Sequence, residues 1–132
     1  MSEAQKQEKK STPKPMPRKT RFYTLFVTIA RAVVHTICPV RYHHRERLEG
    51  LEPPYMLIGN HQAWADPVVM AVPVKKEQVS FLGKKELASN RLMAWFLRHL
   101  HMIPVDRHNM DMAAMRACMK VLRDGGVLGI FP

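Results

Sequence analysis

Apolar positions fall into separate stretches whose periods differ. Residues 22–40 are apolar except at Thr24, Thr28, Arg31, His35 and Thr36. Thr24, Thr28, Arg31 and His35 recur at i, i+4, i+7 and i+11, which predicts an amphipathic helix with a narrow polar stripe. Four short apolar runs follow, at 55–58, 79–82, 102–105 and 127–131, each of strand length and separated by helical segments. Strands alternating with helices are the pattern of βαβ units, so the predicted fold class is α/β, a mostly parallel sheet with flanking helices. The clearest helix is 110–124, with Met112, Met115, Met119 and Leu122 on one stripe, Arg116, Lys120 and Arg123 opposite, and Gly125-Gly126 closing it. The methionines read as a core-facing stripe. Residues 92–97 are apolar on nearly every side, the mark of a helix that is either deeply buried or in contact with something greasy.

The polar stretches divide the chain into a disordered basic tail (1–21), an amphipathic membrane-associating helix (22–40), a linker (41–54) and a globular domain (55–132). Charge sharpens the division, because residues 1–50 hold 11 Lys/Arg against 4 Asp/Glu out of totals of 21 and 11. A helix spanning a bilayer would carry Arg31 near the centre at about 2.5–3.5 kcal/mol. A helix lying in the headgroup plane avoids that cost, burying Phe22, Phe26, Ile29, Val33 and Ile37 in lipid while Arg31 and the tail meet anionic headgroups. Packing against the protein core and a true span are the alternatives. A signal peptide is not expected, since the apolar run continues past Ala30-Arg31-Ala32. The tail lacks aromatic interleaving and the chain has no zinc or helix-turn-helix spacing, so no nucleic acid partner is expected. Cys38 and Cys118 form no disulfide framework, and His35, His43, His44, His99 and His108 have no converging ligands, so no metal is expected.

The chemistry concentrates in Asn60-His61-Gln62-Ala63-Trp64-Ala65-Asp66-Pro67, after the first predicted strand. Histidine is suited to removing a hydroxyl proton near neutral pH, and a carboxylate beside it fixes the tautomer and stabilises the imidazolium. Spacing alone is insufficient, because His101 and Asp106 repeat it. Residues five apart on a strand lie roughly 16 Å apart, and on a helix they point about 140 degrees apart. His61 and Asp66 can therefore meet only across a turn. Asp66-Pro67 supplies one if Asp66 is an N-cap and Pro67 the first helical residue, at the carboxyl end of a strand where sites of open α/β sheets lie. The plainer reading is that Asp66 only caps the helix.

Three blocks resemble the acyltransferases of phospholipid synthesis that acylate glycerol phosphate and lysophosphatidic acid. Asn60 to Asp66 is similar to that family's first motif, which implies His61 as general base, Asp66 as its partner, and Asn60 and Pro67 as supporting residues. Ile103-Pro104-Val105-Asp106-Arg107 resembles the second motif, which implies that Arg107 holds the acceptor's phosphate; His101 and Pro104 depart from the usual residues. Gly83-Lys84-Lys85-Glu86-Leu87 resembles an intervening segment, so Lys84 is a weaker phosphate candidate, against the reading of Lys84 and Lys85 as a solvated charge pair. Val127 to Pro132 resembles the approach to the third motif, whose Glu-Gly-Thr and Arg do not follow here. The resemblance thus implies the N-terminal part of a membrane-associated 1-acylglycerol-3-phosphate acyltransferase on the cytoplasmic face of a membrane, incomplete at its C-terminus. It further implies lysophosphatidic acid as acceptor, with glycerol-3-phosphate the alternative. Acyl-CoA or acyl-carrier protein would be the co-substrate, with no cofactor. From a different class, the chain could be a non-catalytic fragment that binds anionic membrane lipid.

Overall fold

A computed structural model describes residues 19–132, so all but the last three residues of the predicted basic tail lie outside the described residues. The elements are α1 (Arg21–Ile37), α2 (Glu46–Glu49), β1 (Tyr55–Ile58), α3 (Asp66–Ala71), β2 (Val79–Lys84), a 3₁₀ turn (Lys85–Ala88), α4 (Arg91–His99), β3 (Ile103–Val105), α5 (Met112–Arg123) and β4 (Val127–Ile130). The four apolar runs form one sheet in the order β1-β4-β2-β3, every pairing parallel. The last strand in sequence therefore lies inside the sheet, between β1 and β2. All four carboxyl ends lie along one edge of the sheet.

Side chains alternate across the sheet and build two cores. On one face Leu128 of β4 and Ile103 of β3 pack against Ala114 and Val121 of α5. On the other, Val79 and Val127 pack with Val74, which follows α3. The helix α5 meets the sheet through Ala114, Ala117, Cys118, Val121 and Leu122, so of the expected stripe Leu122 packs inward while the methionines do not. Met112, Met115 and Met119 are about half exposed. Small side chains let the helix axis approach the strands closely, which turns the longer methionines out to the flank. The glycine pair closes α5 as expected. The Gly126 N–H donates to Val121 O at 2.8 Å and the Gly125 N–H to Leu122 O at 3.1 Å, with Gly125 at φ +77°, a Schellman ending that needs a residue tolerant of the left-handed region.

The helix α1 starts at Thr20, whose Oγ1 accepts from the Tyr23 N–H. Its first turns dock on the domain. Tyr23 and Val27 are buried with Val72, the Tyr23 hydroxyl oxygen accepts from the Val79 N–H at 3.2 Å, and Lys19 Nζ donates to Val74 O at 2.7 Å. Burial of such side chains contributes about 1.5–3 kcal/mol each. Two of the five side chains assigned to lipid are thus corrected: Phe22 packs edge-on against Trp95 and Phe96, and Phe26 against Phe96. Ile29, Val33 and Ile37 remain exposed, joined by Leu25. No described helix is long and apolar enough to cross a membrane. The apolar segment 92–97 belongs to α4, capped by Asn90 Oδ1. It is not deeply buried: Trp95 and Phe96 meet α1, while Leu92 and Met93 face outward.

Candidate active site

At the carboxyl end of β1 the chain leaves the sheet at Gly59, whose N–H still donates to Ile130 O at 3.2 Å, and turns through residues 60–65 into α3. The turn is organised by Asp66. Its Oδ2 accepts from the Gln62 N–H at 2.6 Å, the Ala63 N–H at 2.7 Å and the His61 ring at Nδ1, 3.0 Å away. The predicted helix start shifts by one residue in consequence. Ala65 occupies the N-cap position without a side-chain bond, Asp66 is the first helical residue and Pro67 the second. Asp66 does not cap α3, because its carboxylate folds back over the preceding turn instead of forward onto helix N–H groups. Proline tolerates the second position, where a helix N–H has no intrahelical partner.

Three converging donors decide the protonation of this pair. The Ala63 and Gln62 N–H groups, followed by the imidazole, hold the Asp66 carboxyl below the usual carboxylate range. An ionised carboxylate only accepts, so Nδ1 of His61 carries the hydrogen. Nε2 is then left with a free lone pair in the neutral ring, the tautomer a general base requires. The pair is open to solvent on one side, with His61 40% and Asp66 25% exposed in their side chains. Asn60 and Trp64 are exposed beside it.

Under the imidazole lies an aromatic platform that sequence reasoning missed. The Phe131 ring stands 4.9 Å from the His61 ring, and Phe81 stacks on Phe131 at 5.9 Å and 13°. The block from Val127 to Pro132 stands out in the sequence only by its resemblance to a third motif, and nothing in the linear pattern joins Phe131 to Phe81 or His61, because they are brought together by the insertion of β4 between β1 and β2.

Arg107 lies in the turn after β3, exposed, and makes no ion pair among the described residues. Its two acidic neighbours are otherwise engaged. Lys85 Nζ bonds Asp106 Oδ2 at 2.7 Å, the His108 N–H donates to Asp106 Oδ1, and Asp111 accepts from the Asp106 and Ala114 N–H groups. Lys85, then the His108 N–H, holds the Asp106 carboxyl at about 2. The proposed solvated charge pair therefore splits: Lys85 is tied to Asp106, and Lys84, the last residue of β2, is exposed without an ion pair among the described residues. The repeated spacing at His101 and Asp106 brings no pair together, since Asp106 turns to Lys85. His61 and Arg107 sit at the ends of opposite edge strands, three strand spacings or on the order of 14 Å apart. A ligand touching both would lie across the carboxyl edge of the sheet. The cavity of about 270 Å³ beside Leu51, Tyr55 and Val74 lies at the other end of β1 and has no part in this arrangement.

Fold and site together define an α/β protein of parallel sheet with an oriented imidazole–carboxylate pair at a strand end. The chain belongs to the acyltransferase family, whose model matches residues 39–132, a span that begins ahead of β1. It is 35% identical over 82 residues to 1-acyl-sn-glycerol-3-phosphate acyltransferase of Streptococcus pneumoniae, covering 62% of this chain and 31% of that protein. To 1-acyl-sn-glycerol-3-phosphate acyltransferase of Bacillus subtilis it is 30% identical over 93 residues, covering 70% of this chain and 46% of that one. The chain thus spans less than half the length of these curated relatives. No solved structure matched significantly.

Proposed function

We propose that this chain carries the acid–base half of an acyltransferase that moves a fatty acyl group from a thioester to the free hydroxyl of lysophosphatidic acid. The observation that carries this reading is the 3.0 Å contact between His61 Nδ1 and an Asp66 carboxylate already fixed by two backbone N–H groups. His61 Nε2 removes the hydroxyl proton as the acceptor oxygen attacks the thioester carbonyl. Asp66 stabilises the imidazolium. The tetrahedral intermediate collapses with cleavage of the carbon–sulfur bond, and the imidazolium returns its proton to the departing thiolate, leaving an ester and a free thiol. No acyl-enzyme is needed. Arg107 binds the acceptor's phosphate, a role supported by its exposure and by its making no ion pair among the described residues, and Lys84 adds a second positive charge at the neighbouring strand end. The donor is acyl-CoA or acyl-carrier protein, and the acceptor assignment rests on the names of the two relatives.

The reaction takes place at the cytoplasmic face of a membrane with anionic lipid. Leu25, Ile29, Val33 and Ile37 of α1 are exposed, as are Leu92, Met93 and Trp95 of α4, and a net charge of +10 favours an anionic surface.

Incubating the chain with acyl-CoA or acyl-carrier thioester and either lysophosphatidic acid or glycerol-3-phosphate, with products read by mass spectrometry, tests the assignment. Phosphatidic acid formed from lysophosphatidic acid supports it. Product from glycerol-3-phosphate alone would move the acceptor, and no product from any pair would remove the reading.

A further inference from the structure

The bond from Nδ1 to Asp66 restrains one edge of the His61 ring, but a single hydrogen bond tolerates a spread of angles and so leaves the imidazole room to rock. A base must also hold the direction of Nε2, because small misplacements of a reacting group cost rate steeply. The second constraint is visible beneath the ring. Phe131 lies 4.9 Å away at 33°, and Phe81 in turn stacks on Phe131. Phe81 reaches that place by crossing Gly129, its register partner on β4. A Cβ at Gly129 would stand 2.2, 2.5 and 3.0 Å from three atoms of the Phe81 ring, closer than carbon atoms approach. Phe131 follows the end of β4, two residues after Gly129, and its ring stacks on the Phe81 ring that crosses the gap. At the other side of the platform, a Cβ at Gly59 would stand 3.5 Å from Phe131 Cε1 and 2.7 Å from Met70 Cε.

We infer that Phe131, seated on Phe81 in the gap left by Gly129, is a positioning residue for His61: it fixes the plane of the imidazole whose tautomer Asp66 fixes. The two constraints are complementary. Asp66 determines which nitrogen is free, and the aromatic column determines where that nitrogen points. This inference rests on the proposed role of His61 as the base. It adds a side-chain coupling between β1 and β4, the first and last strands in sequence and neighbours in the sheet. A side chain at 129 would meet the Phe81 ring and reach the base only through it and Phe131.

The test compares Phe131→Leu, Phe131→Tyr and Phe81→Leu in the full chain, by the ring-proton shifts of His61 in NMR and by steady-state acyl transfer to lysophosphatidic acid. Phe131→Leu is expected to shift the His61 ring protons by removing the ring current beneath them and to lower kcat about tenfold with KM within about twofold. Phe131→Tyr, which keeps the ring, should restore both. Phe81→Leu does not touch His61, and should move the same protons by a smaller amount and keep the readout intact should Phe131→Leu unfold. Unchanged shifts in both leucine variants, or a tyrosine variant as slow as the leucine one, overturns the inference. A wild-type chain without transferase activity counts against His61 as the base, while the shifts still decide whether the column holds the ring.

Discussion

At the scale of single residues, Asp66 holds the site together, with three hydrogen bonds ending on one oxygen. Asp66→Asn keeps an acceptor for the turn but removes the charge that stabilises the imidazolium, so kcat should fall by about 10²–10⁴-fold in a folded protein. Activity within a factor of two of wild type would show that the carboxylate only shapes the turn. Asp106 makes a separate prediction through its pH dependence. Its folded-state pKa is depressed to about 2, so the stability it contributes is present above the ordinary carboxylate range and is lost as pH falls towards that value. Wild type should therefore exceed Asp106→Asn in stability by a constant margin above about pH 5, and the margin should shrink in acid. Denaturant unfolding at several pH values reads it; a margin that grows in acid would contradict the Lys85 pairing. The spacing of His61 and Asp66 was legible in the sequence, and so was the need for a turn. The bonds that shape the turn were not. Cap and reversed carboxylate have the same residues in the same order, and only the backbone conformation at Ala65 separates them.

Elements were legible where one signal dominated. Four apolar runs became four strands, and Gly125-Gly126 ended α5 as a glycine pair should. The facing of α5 was misread because a hydrophobicity stripe weights Met115 and Met119 above Ala114 and Ala117, whereas close packing on a sheet favours the smaller pair. This correction has a measurable consequence. Leu128→Ala, at 1% exposure in the centre of β4, should cost about 2–5 kcal/mol, whereas Met115→Ala should stay within about 0.5 kcal/mol. Equal losses by chemical unfolding would restore the methionine core. Strand order was the other gap, since no period in the chain says that β4 inserts between β1 and β2. That insertion alone makes Phe131 a neighbour of His61.

For the whole molecule, the described structure carries His61, Asp66, Lys84 and Arg107 along the carboxyl edge of the sheet and a set of exposed apolar side chains on α1 and α4. Both helices belong to one aromatic cluster, so whatever seats α1 also seats α4. If the pair rests on anionic lipid, vesicle flotation should fall several-fold when Ile29 and Val33 both become Glu, and wild-type binding should weaken as salt rises. Equal flotation with neutral and anionic vesicles would remove the electrostatic part. In the proposed reaction His61, oriented by Asp66 at the end of β1, is the base for acyl transfer. The most direct test of that role is the initial rate of thiol release from acyl-CoA in the presence of lysophosphatidic acid, wild type beside His61→Ala. The wild-type chain should release thiol in step with phosphatidic acid formation and His61→Ala should fall by at least about 10²-fold; equal rates in the two proteins would contradict it.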